Sequence, residues 1–228
     1  MEPTSLKVVL LGDSGVGKTC IIKQFIEHKF DKGVLSSLSA QFVSKTIEYV
    51  DFGKAIKFDI WDTVGQEKYR AMTKIFYKDA KVIILVFDLT SLKSFKAIEE
   101  YWCDEIKNNC DGDPVIALVG NKTDLYSEKK VDVDDAKDLA KKMKAIFQLT
   151  SAKNNDGITN LFDNIGKKYL QPSFEYDAKE KQAKENYEKK KQKEKNTRII
   201  LIKGNGNNNE DEGGEGNKNK NKNKKGCC

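Results

Sequence analysis

Histidine is nearly absent from this chain: His28 is the only one among 228 residues. Five cysteines are present, but their spacing matches no zinc-binding pattern, which argues against a metal centre built from Cys and His. Long apolar runs are missing as well. No stretch approaches the roughly 18 residues that a membrane-spanning helix needs. The opening MEPTSLKVVLLGDSG carries no basic leader region, and Gly12 and Asp13 interrupt its apolar stretch, so the chain is expected to stay in the cytosol. In that reducing compartment Cys20, Cys103 and Cys110 are expected to be free thiols. Hydrophobic residues reach only 38%, against roughly 45–50% in ordinary globular chains.

That shortfall is local. Residues 171–228 hold 15 of the 41 Lys/Arg and 10 of the 35 Asp/Glu, which leaves residues 1–170 nearly neutral, with 26 against 25. The net charge of +6 therefore belongs to a tail, and it gives the rest of the chain no reason to bind nucleic acid. Within the tail, GNGNNNEDEGGEGNKNKNKNKKG has too little apolar area to offset the entropy of ordering and is expected to be disordered. The preceding FEYDAKEKQAKENYEKKKQKEK can form a charged helix but lacks a continuous apolar face. The chain is thus read as an N-terminal extension (1–5), a folded domain (6–170) and a basic tail (171–228).

Inside the domain, short β-branched runs at 7–11, 55–61, 82–87, 115–119 and, more weakly, 145–149 alternate with stretches of helical spacing. Those stretches begin near Gly17, Ser94, Asp134 and Gly157. VIILVF and VIALVG are apolar on both faces, as buried parallel strands require. Residues 41–52 and 55–61, joined near Gly53-Lys54, read as an antiparallel hairpin at the sheet edge. Strand–helix alternation with right-handed crossovers predicts a doubly wound α/β domain. In such a sheet ligands bind beyond the carboxyl ends of the strands.

The chemically informative motifs all fall at such ends. GDSGVGKT at 12–19 matches GxxxxGK[ST] between the first strand and the first helix. Its backbone can wrap a phosphate chain against a helix N-terminus, so Asp13, Ser14, Gly15, Val16, Gly17, Lys18, Thr19 and Cys20 are candidate phosphate contacts. Lys18 suits the β- and γ-phosphates, and the Thr19 hydroxyl suits Mg²⁺. WDTVGQE at 61–67 places Asp62 where a carboxylate can hold Mg²⁺, Gly65 where an N–H can meet a γ-phosphate, and Gln66 where an amide can orient water. NKTD at 121–124 and TSAK at 150–153 end the next strands. Alone, NKTD is a common polar loop. At a strand end downstream of the other two motifs it is specific: Asp124 can accept from the N1–H and N2 amine of guanine, a donor pair that adenine lacks. Asn121 is expected to brace neighbouring loops, the Lys122 stem to cover the base, and the N–H of Ala152, flanked by Ser151 and Lys153, to meet the guanine O6.

With these motifs in this order, residues 6–170 resemble a Ras-superfamily small GTPase. KFDIWDTVGQEKYRAMT, FYKDA and LVFDLT resemble the Rab family in particular. The resemblance implies the small G-protein form of the P-loop fold: six mostly parallel strands with one antiparallel edge strand, and five helices. It also implies a switch between GTP and GDP with Mg²⁺, Phe30 packed edge-on to guanine, and Ser37 as a further ligand for the metal. Lys18 and Gln66 become the catalytic pair. Expected partners are an exchange factor, an activating protein, a GDP-dissociation inhibitor or escort protein, and effectors that read the switch segments, with the chain itself a monomer. Three positions depart from the family's pattern: Ser37 for Thr, Ser39 for Gly and Val64 for Ala. They make slower hydrolysis or altered effector choice an expectation, and a non-hydrolysing nucleotide-dependent scaffold the rival reading. Residues 33–36 contain no arginine, so intrinsic turnover on the order of 10⁻⁴ s⁻¹ is expected until an activating protein supplies the missing charge. A P-loop metabolic kinase is disfavoured, since NKTD and TSAK have no role in one.

The final KKGCC then resembles the double-cysteine geranylgeranylation signal of Rab proteins, with Cys227 and Cys228 as acceptors, rather than a CaaX box. One lipid anchors only marginally, and two give stable residence on the cytosolic face of an endomembrane. The lysines add about 1 kcal/mol each near an anionic leaflet. Replacing both cysteines with serine is expected to leave nucleotide binding unchanged and to move the chain from the membrane pellet to the soluble fraction. A double-serine variant that still pellets would show that something other than lipidation explains the ending.

Overall fold

A computed structural model describes residues 2–30, 41–63 and 77–173. Six strands form one sheet: β1 (Thr4–Leu11), β2 (Gln41–Tyr49), β3 (Lys54–Asp62), β4 (Val82–Asp88), β5 (Val115–Asn121) and β6 (Ile146–Leu149). Their spatial order is β2-β3-β1-β4-β5-β6. All neighbours run parallel except the edge pair β2–β3, which is antiparallel with Gln41 opposite Asp62 and Tyr49 opposite Lys54. Five α-helices accompany the sheet among the described residues: α1 (Lys18–Glu27), α2 (Leu92–Ala97), α3 (Cys103–Asn109), α4 (Val133–Lys142) and α5 (Ile158–Leu170). A π turn over Ile98–Trp102 joins α2 and α3 into one continuous helical stretch. The strand order switches direction at β1, so the doubly wound fold expected from the alternation is the one found.

Both sides of the sheet are covered. Leu6, Val8 and Leu10 of β1 pack with Phe25 of α1 and Phe162 of α5, whereas Val9 and Leu11 pack with Phe95, Trp102 and Leu139 on the other side. Every residue of β4 is buried, which is why its sequence shows no polar alternation. Trp102 lies in this second core at 4% exposure, and His28 is exposed at the left-handed C-cap of α1.

The observed elements differ from the expected ones where long-range pairing or local capping decides. β1 begins at Thr4, since Thr4 and Ser5 pair with Ile56 and Lys57 although no apolar pattern marks them. β2 ends at Tyr49, where Val50–Phe52 curls into a 3₁₀ turn closed by left-handed Gly53. The helix expected near Ser94 starts at Leu92, because the Ser91 hydroxyl accepts from the Ser94 N–H.

One contact holds the edge hairpin to the far side of the domain. The buried Tyr49 hydroxyl donates to the Phe162 carbonyl at 3.1 Å, and a Cβ on Gly166 would lie 1.9 Å from that hydroxyl. Ala at 166 would gain about 1 kcal/mol of helix propensity, but overpacking costs about 1–3 kcal/mol and the nearest atoms belong to a buried ring. We predict that Gly166→Ala lowers the unfolding free energy in urea by about 1–2 kcal/mol and that adding Tyr49→Ala recovers part of what the clash costs. Unchanged or raised stability in Gly166→Ala would mean that the ring does not fill this space.

Candidate functional site

The loop between β1 and α1 is shaped by close approach at both ends. Gly12 has φ +140, and a Cβ there would lie 2.2 Å from the Val86 carbonyl oxygen of β4. Gly17 has φ +99, and a Cβ there would meet the Asn121 side-chain nitrogen at 2.4 Å. Neither position accepts a side chain without moving its neighbour. Gly17 caps α1 without a side-chain bond, so the glycine loop runs directly into the positive end of the helix dipole, which favours an anion. The opposite end of α1 is neutralised from outside: no basic residue occupies its last turn, and Lys45 of β2 donates to the Phe25 carbonyl.

Lys18, the first residue of α1, arches back over this loop. Its Nζ donates to the carbonyls of Gly12 (2.8 Å) and Asp13 (2.9 Å). Only 5% of the residue is exposed, and burial pulls its pKa down to about 8, against the opposing pull of Asp62 and Asp13. A buried ammonium without a full counter-charge is costly, and a polyphosphate laid in the loop supplies that charge. Next to it, the Thr19 hydroxyl donates to Asp62 Oδ2 at 2.6 Å. A hydroxyl and a carboxylate brought together from α1 and β3 form a hard oxygen donor set, which fits Mg²⁺. The loop and this pair together fit a nucleotide phosphate with its metal.

Across the sheet, the carboxyl ends of β5 and β6 build a second half. Asn121 is 1% exposed and uses both ends of its amide. Its Nδ2 donates to the Val16 carbonyl (2.9 Å), while Oδ1 accepts from Thr150 Oγ1 (3.1 Å) and from the Ala152 N–H (3.3 Å). The Ala152 N–H, expected to face a guanine O6, is thus directed at Asn121. Asp124 accepts from the Ser151 hydroxyl at 2.6 Å and has Lys153 at 3.7 Å, so its carboxylate is held by the TSAK loop. Lys122 is left-handed (φ 69) and forms a 2.6 Å ion pair with Asp88, the last residue of β4. Phe30 follows α1 and is 38% exposed.

The described residues therefore bring Lys18, Thr19 and Asp62 together on one side and Asn121, Lys122, Asp124, Ser151, Ala152 and Lys153 on the other, joined through Asn121. Ser37, Gly65, Gln66, Cys227 and Cys228 lie outside the described residues. Two participants went unrecognised in the sequence. Thr63 is buried and donates to the Leu10 carbonyl at 2.5 Å, tying the end of β3 to β1 where the phosphate loop begins. Asp88 was legible only as the acidic end of an apolar strand, the position where ligand-site residues collect.

Comparison with known proteins gives the family. The model of the Ras family matches residues 7–171. The chain is 40% identical to the human Ras-related protein Rab-22A over 168 residues, which is 74% of this chain and 85% of that protein. It is 38% identical to the Ras-related protein RabJ of Dictyostelium discoideum over 174 residues (75% of this chain, 67% of that protein). It is 37% identical to the Ras-related protein SEC4 of Candida albicans over 157 residues (69% and 73%). The chain belongs to the Ras family and, within it, to the Rab GTPases of vesicle trafficking.

Proposed function

We propose that this Rab GTPase binds GTP and GDP at the carboxyl ends of β1, β3, β5 and β6, with each candidate residue in a distinct role. The observation that carries the reading is the Asn121 side chain, which links the phosphate loop to the loop holding Asp124. The amides of residues 13–20 and Lys18 bind the phosphates, and Thr19, Asp62 and Ser37 hold the metal. Mg²⁺ held by these residues would supply positive charge beside the phosphates. Gln66 orients the attacking water, Gly65 donates to the γ-phosphate, and Lys18 stabilises the charge on the transferring group. Asp124 selects guanine, with Ser151 and Lys153 fixing its carboxylate. Ala152, Lys122 and Phe30 surround the base.

Hydrolysis then resets a switch whose GTP form recruits effectors, with an exchange factor and an activating protein setting the two rates. The functional domain is residues 6–170. The tail from 171 carries the chain to a membrane through Cys227 and Cys228, and an escort protein or dissociation inhibitor covers the lipids between cycles. Retention of every polar group that hydrolysis requires favours this reading over a non-hydrolysing scaffold.

Asp124→Asn tests base selection. An amide offers one acceptor where guanine needs two, so GDP affinity is expected to fall at least about tenfold (1.4 kcal/mol) while xanthosine diphosphate gains relative to GDP. GDP affinity within about twofold of the parent chain, with no change in preference, would remove Asp124 from that role.

A further inference from the structure

Asp88 makes two kinds of contact at once. It is 7% exposed, ends β4, and stands opposite Asn121 in the β4–β5 register. Its Oδ1 accepts from both the Thr90 N–H and the Thr90 hydroxyl, each at 2.8 Å. Its Oδ2 takes the Lys122 ammonium at 2.6 Å. Its own N–H donates to Ser94 Oγ at 3.0 Å, and that hydroxyl in turn donates to the Ser91 carbonyl at 2.8 Å. The carboxylate is thereby held by two hydrogen bonds from Thr90, and the Asp88 backbone by one to Ser94, before the lysine is counted.

Lys122 needs such a partner. It lies between Asn121, which braces the phosphate loop, and Thr123, whose N–H donates to the Thr150 carbonyl at 3.1 Å. Its left-handed backbone (φ 69, ψ 40) is strained for a residue with a side chain. A lysine whose ammonium is loose carries much rotamer entropy, part of which is lost whenever its stem must lie along a ligand. With the ammonium tethered to a rigid carboxylate, most of that entropy is lost on folding instead.

We propose that Asp88 is a positioning residue for nucleotide binding: through its ion pair with Lys122 it pre-orders the lysine stem that flanks the base. This rests on the guanine-nucleotide reading of the site. The rival account is that Asp88 serves only the β4–α2 turn through Thr90. The two differ in whether the effect of Asp88 depends on Lys122.

The test is a double-mutant cycle on the full chain, loaded with fluorescent GDP in excess Mg²⁺ and chased with unlabelled GDP, with folding of each variant followed by urea denaturation. Asp88→Asn keeps an acceptor for Thr90 and removes the charge, and Lys122→Met keeps a long apolar stem and removes the ammonium. Each is expected to speed GDP release about tenfold, and the double variant also about tenfold rather than a hundredfold, because both changes break one interaction. Thr90→Val is expected to leave release within about twofold of the parent. Additive effects near a hundredfold, an unchanged rate in Asp88→Asn, or a Thr90→Val effect equal to that of Asp88→Asn would each overturn the proposal. Should Asp88→Asn fail to fold, Lys122→Arg, which keeps a charged end for Asp88, is expected to release GDP severalfold more slowly than Lys122→Met, and equal rates overturn the proposal. If the parent chain bound GDP no better than ADP, the guanine reading itself would fall and the proposal with it. Selective parent binding with an additive cycle removes only Asp88.

Discussion

A single buried amide joins the two halves of this site. Asn121 reaches from the end of β5 to the Val16 carbonyl in one direction and to Thr150 and Ala152 in the other. Those groups come from segments far apart in the chain, and the sheet alone fixes only the strand ends, not the loops beyond them. The glycine at 17 is a consequence of this side chain, since any Cβ there would collide with the Asn121 nitrogen. The phosphate loop, the base loop and the glycine pattern are therefore one constraint seen from three positions. Both amide atoms are committed, so truncating Asn121 leaves several buried groups without partners rather than merely removing a contact.

The electrostatics follow from the same packing. Lys18 is buried so deeply that its pKa drops to about 8, and the carbonyls of Gly12 and Asp13 solvate its ammonium only in part. A group so placed favours an incoming phosphate more than an exposed lysine would, because desolvation has already occurred on folding. Thr19 and Asp62 are likewise in contact at 2.6 Å, so the oxygen pair suited to the metal is preassembled. On the base side Asp124 is oriented by Ser151 and Lys122 by Asp88, so the residues that would face the nucleotide are each held by another side chain. This is the arrangement that tight binding requires, since ordering is completed before the ligand arrives.

Most of the architecture was legible in the sequence, because burial on both faces writes itself as uninterrupted apolar runs. Residues 82–87 and 115–119 lie inside β4 and β5, and the hairpin at the sheet edge falls where alternation and Gly53 mark it. The motifs were legible for a different reason: phosphate wrapping needs glycine at fixed spacing, and such spacing is local. What escaped was non-local or energetically slight. Thr4 and Ser5 join β1 only because β3 lies beside them. The π turn at Ile98–Trp102 leaves the 3- and 4-residue spacing of Phe95, Ile98, Trp102 and Ile106 intact, so the apolar pattern gives no sign of it. The ion pair of Asp88 with Lys122 spans two strands, and nothing local to either residue announces it. The direction of the Ala152 N–H toward Asn121 also depended on a side chain from another strand.

The dependence on Asn121 is open to one direct measurement. Asn121→Ala removes three buried hydrogen bonds, so the fold loses stability and the two loops lose the brace that sets them for a common ligand. GDP release from the loaded full chain in excess Mg²⁺, followed by fluorescence against an unlabelled chase, reads this loss as a rate. Release at least about a hundredfold faster than in the parent chain is the predicted result. Release within about threefold, from a variant that urea denaturation shows to be folded, would contradict the view that this amide holds the two halves of the site together.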